Sequence, residues 1–199
     1  MVTRTATAIT LRQAGWLLGL LSTALVLSGV GDDTLRYERT AVLNGEYWRL
    51  LTGHFVHGSV SHLLLNLAGL GLVAALFPRD YSFLEWLFIG FCSIVAIDLA
   101  FVCCEPQLHW YVGFSGVLHG ALAAGAVAWL RHETKAIALL LCIVLIGKLL
   151  WEQLRGALPF SGDMPVIVDA HLYGAMGGTL AAVAIWVCKR DWPSLRRSL

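Results

Sequence analysis

The segment Trp110–Gly120, with the sequence WYVGFSGVLHG, opens an apolar run long enough to cross a membrane. It places Ser115 among glycines, and His119 follows one helical turn later. A hydroxyl inside a membrane helix ordinarily bonds to the backbone carbonyl one turn earlier, and glycines ordinarily allow close helix packing. By itself, therefore, the segment is as compatible with a packing motif as with a nucleophile. A nucleophile would need a base and a group of hydrogen-bond donors at the same depth.

The composition indicates a membrane protein. Of the 199 residues, 58% are hydrophobic and 14% are charged, and the mean hydropathy is +0.72. These values lie outside the range of ordinary soluble domains. The formal net charge of +1 and the lack of a basic patch give no indication of nucleic-acid binding. The five cysteines include no Cys-x-x-Cys pair, so neither a zinc ribbon nor a disulfide framework is predicted.

Six apolar stretches have about the length of a membrane span, for which roughly 17–25 residues are needed; the fifth is short and depends on its flanking residues. The sequence therefore predicts an all-α polytopic membrane protein with a single six-helix domain and a basic tail over 189–199. The predicted spans are 14–30, 60–77, 82–102, 111–130, 136–151 and 170–188.

Lysine and arginine predict the orientation, because they are enriched in cytoplasmic connections. With the N-terminus in the cytoplasm, nine of them fall on the cytoplasmic side and five on the other, and the segment 189–199 alone holds four of the nine. Both termini are therefore expected in the cytoplasm. The long connections 31–59 and 152–169 then lie outside, and long loops in compact helical domains tend to be functional.

Four polar side chains are predicted to lie at one depth. His62 and Asn66 are four residues apart on the second span, Ser115 lies about one turn inside the outer end of the fourth, and His171 lies at the start of the sixth. These three spans run in the same direction, so all four residues fall in the extracytoplasmic third of the membrane. Polar and ionisable residues are costly there and are candidates for function.

These residue types suit acyl transfer. A serine needs an adjacent base, and a neutral imidazole is the commonest one. The tetrahedral intermediate needs hydrogen-bond donors, which His62 and Asn66 could supply. No carboxylate is evident beside His171, because Asp169, two residues earlier, points to a different helical face. The sequence therefore predicts a Ser115–His171 dyad that uses no metal and no cofactor.

Glycines at a spacing of four add a packing argument. Gly116 and Gly120 share one face of the fourth span, and Gly174 and Gly178 share one face of the sixth. Faces of this kind let two membrane helices approach closely. Packing between these two faces would bring the predicted base toward the predicted nucleophile.

In these motifs the sequence resembles the rhomboid intramembrane serine proteases over essentially its whole length. The motifs that carry the resemblance are Glu46-x-Trp48-Arg49, His57, His62-x-x-x-Asn66, Gly113-x-Ser115-Gly116 and Ala170-His171-x-x-Gly174-x-x-x-Gly178. The resemblance implies a six-helix rhomboid-like fold, with Ser115 as nucleophile, His171 as general base, and His62 and Asn66 stabilising the oxyanion. It also implies that Trp48-Arg49 anchors the outer loop at the lipid interface, and that the fifth span controls substrate access.

His119 departs from the common rhomboid pattern, in which an aromatic residue one turn after the serine stacks on the histidine. In this respect the chain is similar to the rhombosortase branch. That branch is associated with exported proteins that end in a Gly-Gly-type motif, an apolar helix and a basic tail. The resemblance thus implies substrates anchored by a single transmembrane helix. It places the protein in a bacterial inner membrane, with the site toward the periplasm.

Asp98, in the third predicted span, has two interpretations. It could make a structural hydrogen bond or pair with Lys148, or it could be a partner of His119 near the site. The structural interpretation is favoured.

Three other hypotheses are weighed against the protease. His54, His57 and His62 could bind a metal, but no His-Glu-x-x-His motif or nearby carboxylate supports this, so we expect hydrogen bonding instead. A transporter or channel would also carry intramembrane polar residues, but these do not continue toward the cytoplasm. A non-catalytic protein that binds transmembrane helices would be favoured if Ser115 or His171 were missing.

Overall fold

The computed structural model of the chain describes residues 34–131, 135–157 and 166–195. Its elements in chain order are β1 (Tyr37–Glu38), α1 (Arg39–Leu43), α2 (Trp48–Thr52), α3 (Val60–Leu76), α4 (Phe83–Cys103), β2 (Trp110–Tyr111), α5 (Ser115–Leu130), α6 (Lys135–Arg155) and α7 (Val168–Leu195). The predicted first span, 14–30, lies outside the described residues.

The described part of the chain is mostly helical, as predicted. Three of its helices are long and apolar enough to cross a membrane: α4, α6 and the portion of α7 up to Arg190. The apolar helices α3 and α5 are shorter, with 17 and 16 residues. The six-span topology stays a prediction.

Two helix boundaries differ from the prediction in ways that matter for the site. The fourth predicted span begins at Tyr111, but β2 pairs antiparallel with β1 there, with Tyr111 opposite Tyr37. Gly113 then turns the chain with a φ of 120°, and α5 begins only at Ser115. Helix α6 continues to Arg155 instead of ending at 151, so Glu152 lies inside a helix and not in the following loop.

Helices α4, α5 and α7 form the centre of the bundle, and α5 has its most extensive contacts with α7. Glycines make this close approach possible. A Cβ atom on Gly174 would overlap the carbonyl oxygen of Gly116, and one on Gly178 would overlap that of Gly120. A Cβ on Gly120 would also overlap the Ser93 hydroxyl of α4 and lie 2.7 Å from the Gly174 carbonyl oxygen. The two glycine faces named in the sequence therefore lie against each other in the fold.

Hydrogen bonds from Arg49 stabilise the loop before α3. The Arg49 side chain is 8% exposed, and its Nε donates to Glu46 Oε2 at 2.6 Å while Nη1 donates to the Arg36 carbonyl at 3.0 Å. The neighbouring Trp48 is 53% exposed, on a surface that lipid could cover. Arg49 therefore holds the loop from inside, and of the predicted Trp48-Arg49 anchor only the tryptophan faces outward.

Candidate active site

Ser115 and His171 meet where α5 and α7 begin. Ser115 is the first residue of α5, and its Oγ lies 2.9 Å from Nε2 of His171, in the first turn of α7. The close approach follows from Gly116, because a Cβ there would come within 2.8 Å of the Ala170 carbonyl oxygen. His171 is 4% exposed. The structure thus brings the predicted nucleophile, which is half-buried, into hydrogen-bond contact with a buried base.

Glu152 lies on the other side of the His171 ring. Its Oε2 is 2.9 Å from His171 Nδ1, and its Oε1 accepts from Lys148 Nζ at 2.6 Å. A carboxylate only accepts, so Nδ1 carries the proton and Nε2 presents its lone pair to Ser115. The expectation of a dyad without an acid is therefore wrong. The prediction failed because Glu152 was assigned to the loop after the fifth span.

One local signal in α6 could have drawn attention to Glu152. Lys148 lies four residues before it, a spacing at which oppositely charged side chains pair on a helix, so the helix could have been extended past the apolar run that ends at 151. The buried residues of the helix are Ala138, Leu145, Leu149 and Glu152. Its exposed side is equally apolar, as in Ile143 and Leu154, so the sequence alone does not show which face is buried.

His119 contacts both members of the pair. Its ring stacks on that of His171, with centroids 4.1 Å apart and planes inclined by 17°. Its Nδ1 lies 2.7 Å from the Ser115 carbonyl oxygen and must donate, because a carbonyl only accepts. His119 thus occupies the stacking position that the family resemblance implies for an aromatic residue.

His119, Glu152 and His171 are also the one group in the described part of the chain whose potential metal ligands all lie within 4.8 Å of one another. The geometry argues against shared coordination. The in-plane lone pairs of two stacked rings lie in separate, nearly parallel planes, so they do not readily converge on one ion. Both ring nitrogens of His171 already contact Glu152 and Ser115. The arrangement suits proton transfer.

His62 and Asn66 border the turn that precedes Ser115. A Cβ on Gly113 would lie 2.7 Å from His62 Nε2 and 3.8 Å from Asn66 Nδ2, so glycine is required for space as well as for its positive φ. Asn66 is 5% exposed, and its Nδ2 makes no hydrogen bond to any described protein atom. A buried amide without a protein partner is available to a substrate or to water.

His57 lies beside His62, with the two ring centroids 5.1 Å apart and the rings nearly perpendicular. It precedes α3 and is 3% exposed. Burial, and secondarily the neighbouring His62, lowers the pKa of His57 to about 4, although a contact with the Phe55 backbone partly offsets this. His57 is therefore neutral at pH 7 and adds no positive charge beside the candidate site.

Asp98 has a different partner from those proposed. Its Oδ1 lies 3.2 Å from Nε2 of His54, which is 1% exposed. Lys148 contacts Glu152 instead, and His119 Nδ1 contacts the Ser115 carbonyl. Asp98 therefore makes a structural hydrogen bond that joins α4 to the outer loop. Neither the Lys148 pair nor the His119 pair is formed.

A half-buried serine contacts a buried imidazole, which in turn contacts a buried carboxylate. Within an apolar helical bundle, this arrangement defines a class of protein: membrane proteins with a hydrolase-type serine–histidine site. The Rhomboid domain signature matches residues 44–188. The chain belongs to the rhomboid family, whose members are generally intramembrane serine proteases.

Three relatives illustrate the range of the family. The chain is 29% identical over 163 residues to RHOMBOID-like protein 7 of Arabidopsis thaliana, covering 77% of this chain and 48% of that protein. It is 26% identical over 155 residues to Rhomboid protease GluP of Bacillus subtilis (strain 168), covering 76% and 29%. It is 30% identical over 122 residues to Inactive RHOMBOID-like protein 8 of Arabidopsis thaliana, covering 59% and 33%. The chain thus spans half or less of each of these three relatives.

Proposed function

We propose that this chain is a serine-type intramembrane endopeptidase in which Ser115 is the nucleophile and His171 the general base. The observation that carries the proposal is the 2.9 Å contact between Ser115 Oγ and Nε2 of the buried His171. His171 takes the hydroxyl proton as Oγ attacks the scissile carbonyl, and returns it to the leaving amine. Water then hydrolyses the acyl-enzyme with the same histidine as base.

The negative oxygen of the tetrahedral intermediate needs donors that are already in place. The Asn66 amide and the His62 ring border Gly113, two residues before the nucleophile, and Asn66 Nδ2 has no partner among the described protein atoms. We assign the oxyanion stabilisation to these two side chains. Gly113 and Gly116 support the site by leaving room for close approach, and Gly174 and Gly178 do so from α7.

The substrate follows from the membrane setting. Helical hydrogen bonds are strongly favoured in lipid, whereas a protease attacks extended backbone, so a substrate helix must unwind locally. Glycine lowers this cost, since it is roughly 1 kcal/mol less favourable than alanine inside a helix. We infer that the enzyme cleaves membrane-anchored exported proteins near a Gly-Gly-type or other small-residue segment. The cut would lie at the extracytoplasmic end of a single C-terminal transmembrane helix, as the rhombosortase resemblance implies.

The location is part of the same proposal. The excess of lysine and arginine in the segments assigned to the cytoplasm, nine against five, supports cytoplasmic termini in a bacterial inner membrane. The beginnings of α5 and α7, where Ser115 and His171 meet, then face the periplasm. Water and the substrate's unwound end would reach the site from that side.

Labelling of intact membranes with a fluorophosphonate probe tests the nucleophile. Wild type should label covalently, while Ser115→Ala and His171→Ala should not. Ser93→Ala is a matched control, because it removes a buried hydroxyl that donates to the Ile89 carbonyl at 2.8 Å, one turn earlier on α4. Labelling of Ser115→Ala at the wild-type rate would refute the serine mechanism.

A second function is favoured by one observation: a relative that is 30% identical is named inactive. On that reading the chain binds transmembrane helices without cleaving them. Absence of labelling in a folded wild-type protein, together with capture of a Gly-Gly-anchored reporter, would support it. A transporter would show neither labelling nor capture of the reporter.

A further inference from the structure

Glu152 belongs to the helix that is least enclosed by the bundle. In the 21 residues of α6, only Ala138, Leu145, Leu149 and Glu152 are buried. The other apolar side chains of the helix are largely exposed, as in Ile143 at 67% and Leu154 at 79%. Glu152, which is 3% exposed, is thus the one charged residue on the narrow face by which α6 contacts α5 and α7.

A buried carboxylate is costly unless both of its oxygens are satisfied. In Glu152 each oxygen has one partner: Lys148 Nζ at 2.6 Å on Oε1 and His171 Nδ1 at 2.9 Å on Oε2. Lys148, whose side chain is 30% exposed, makes the first contact within α6 itself. The lysine therefore holds the carboxylate from within α6, while the second partner, His171, comes from α7.

The second contact has consequences for proton transfer. A Glu152 carboxylate requires the proton of His171 on Nδ1, which leaves Nε2 free to accept the Ser115 proton. When that transfer occurs, the imidazolium lies against a negative charge that is already present. This is how the acid acts in Ser-His-Asp enzymes, where it keeps the imidazole in the correct tautomer and stabilises the charged form.

We propose that Glu152, held by Lys148, is a positioning residue that completes a Ser115–His171–Glu152 triad. The inference rests on the proposed serine mechanism. Lys148 and Glu152 both lie on α6, whereas His171 lies on α7, so the packing of these two helices brings the carboxylate to the imidazole.

The test compares rates of fluorophosphonate labelling, together with thermal unfolding, in four variants of the full chain. Glu152→Gln should slow labelling by about 10²–10⁴-fold, because a glutamine amide can donate to Nδ1 and favour the tautomer that has no lone pair on Nε2. Glu152→Asp keeps the charge and should retain more activity than Glu152→Gln. Glu85→Gln is the matched control, since Glu85 pairs with Lys189 at 2.7 Å away from the serine and should label at the wild-type rate.

The fourth variant separates positioning from a structural ion pair. Lys148→Met combined with Glu152→Met removes both charges and continues the apolar stripe of α6, so the protein should unfold at or above the wild-type temperature. Labelling should stay as slow as in Glu152→Gln. Wild-type labelling by this double variant or by Glu152→Gln, with Ser115→Ala unlabelled, would overturn the triad and leave the serine mechanism standing. Labelling of Ser115→Ala would overturn the serine mechanism itself.

Discussion

Replacing Gly174 by alanine should separate the two helices that carry Ser115 and His171. The added Cβ would overlap the Gly116 carbonyl oxygen and lie 2.7 Å from the carbonyl carbon, about 0.7 Å inside the 3.4 Å at which ordinary contacts begin. Both of these atoms belong to the backbone, so no side chain can rotate away. The strain has to be relieved by moving α7 relative to α5.

This displacement of α7 should lower both the folding stability and the rate of labelling. Overpacking a tight interface typically costs about 1–3 kcal/mol of folding stability. A shift of about 0.7 Å along the Ser115–His171 direction would lengthen the 2.9 Å contact to about 3.6 Å, beyond hydrogen-bond range. We expect a lower unfolding temperature in detergent and a fall in fluorophosphonate labelling of about 10²-fold or more, since small misplacements at a reacting centre have effects of that size.

Gly71→Ala provides the control. A Cβ on this α3 glycine meets nothing within 4 Å, so the helix should tolerate it or gain up to about 1 kcal/mol. If Gly174→Ala labels and unfolds like Gly71→Ala, the close packing of α5 on α7 is not what positions the site.

Three further predictions address other parts of the molecule. Asn66→Ala should lower turnover of a Gly-Gly-anchored reporter by about 10²–10³-fold, and adding His62→Ala should cost less than the product of the single effects; unchanged turnover would remove Asn66 from the site. The pKa of His57 is about 4 in the folded protein, against 6.5 for an ordinary histidine. As the pH falls, the unfolded chain therefore takes up a proton on this histidine at a higher pH than the folded protein does. The free energy of unfolding should therefore fall by about 2 kcal/mol between pH 7 and pH 5 in the wild type, and by less in His57→Gln. Equal falls in the two proteins would contradict this prediction. In the reporter, leucine or valine in place of the small residues should block release seen by mass spectrometry, and a cut in the cytoplasmic half of its helix would refute the proposed substrate geometry.

Glu152 illustrates why part of the site escaped prediction. The apolar run that marks the fifth span ends at 151, and hydropathy alone cannot distinguish a polar helix end from a loop. Its contact with His171 joins residues 19 apart on two helices, and depends on how α6 is rotated when it meets α7. The Asp98–His54 contact likewise depends on how distant segments pack, because it joins a helix to a loop 44 residues away.

The sequence by itself determined the helical membrane character, because hydropathy is a property of each residue and sums along the chain. It also predicted that Ser115, His171, His62 and Asn66 lie at one depth, since helices that run in the same direction present corresponding ends to the same side. Only the tertiary structure decided which side chains meet. The carboxylate at His171 and the start of α5 at Ser115 depend on helix rotation, on the β1–β2 pairing and on glycine-mediated approach, and these arise when distant segments pack together.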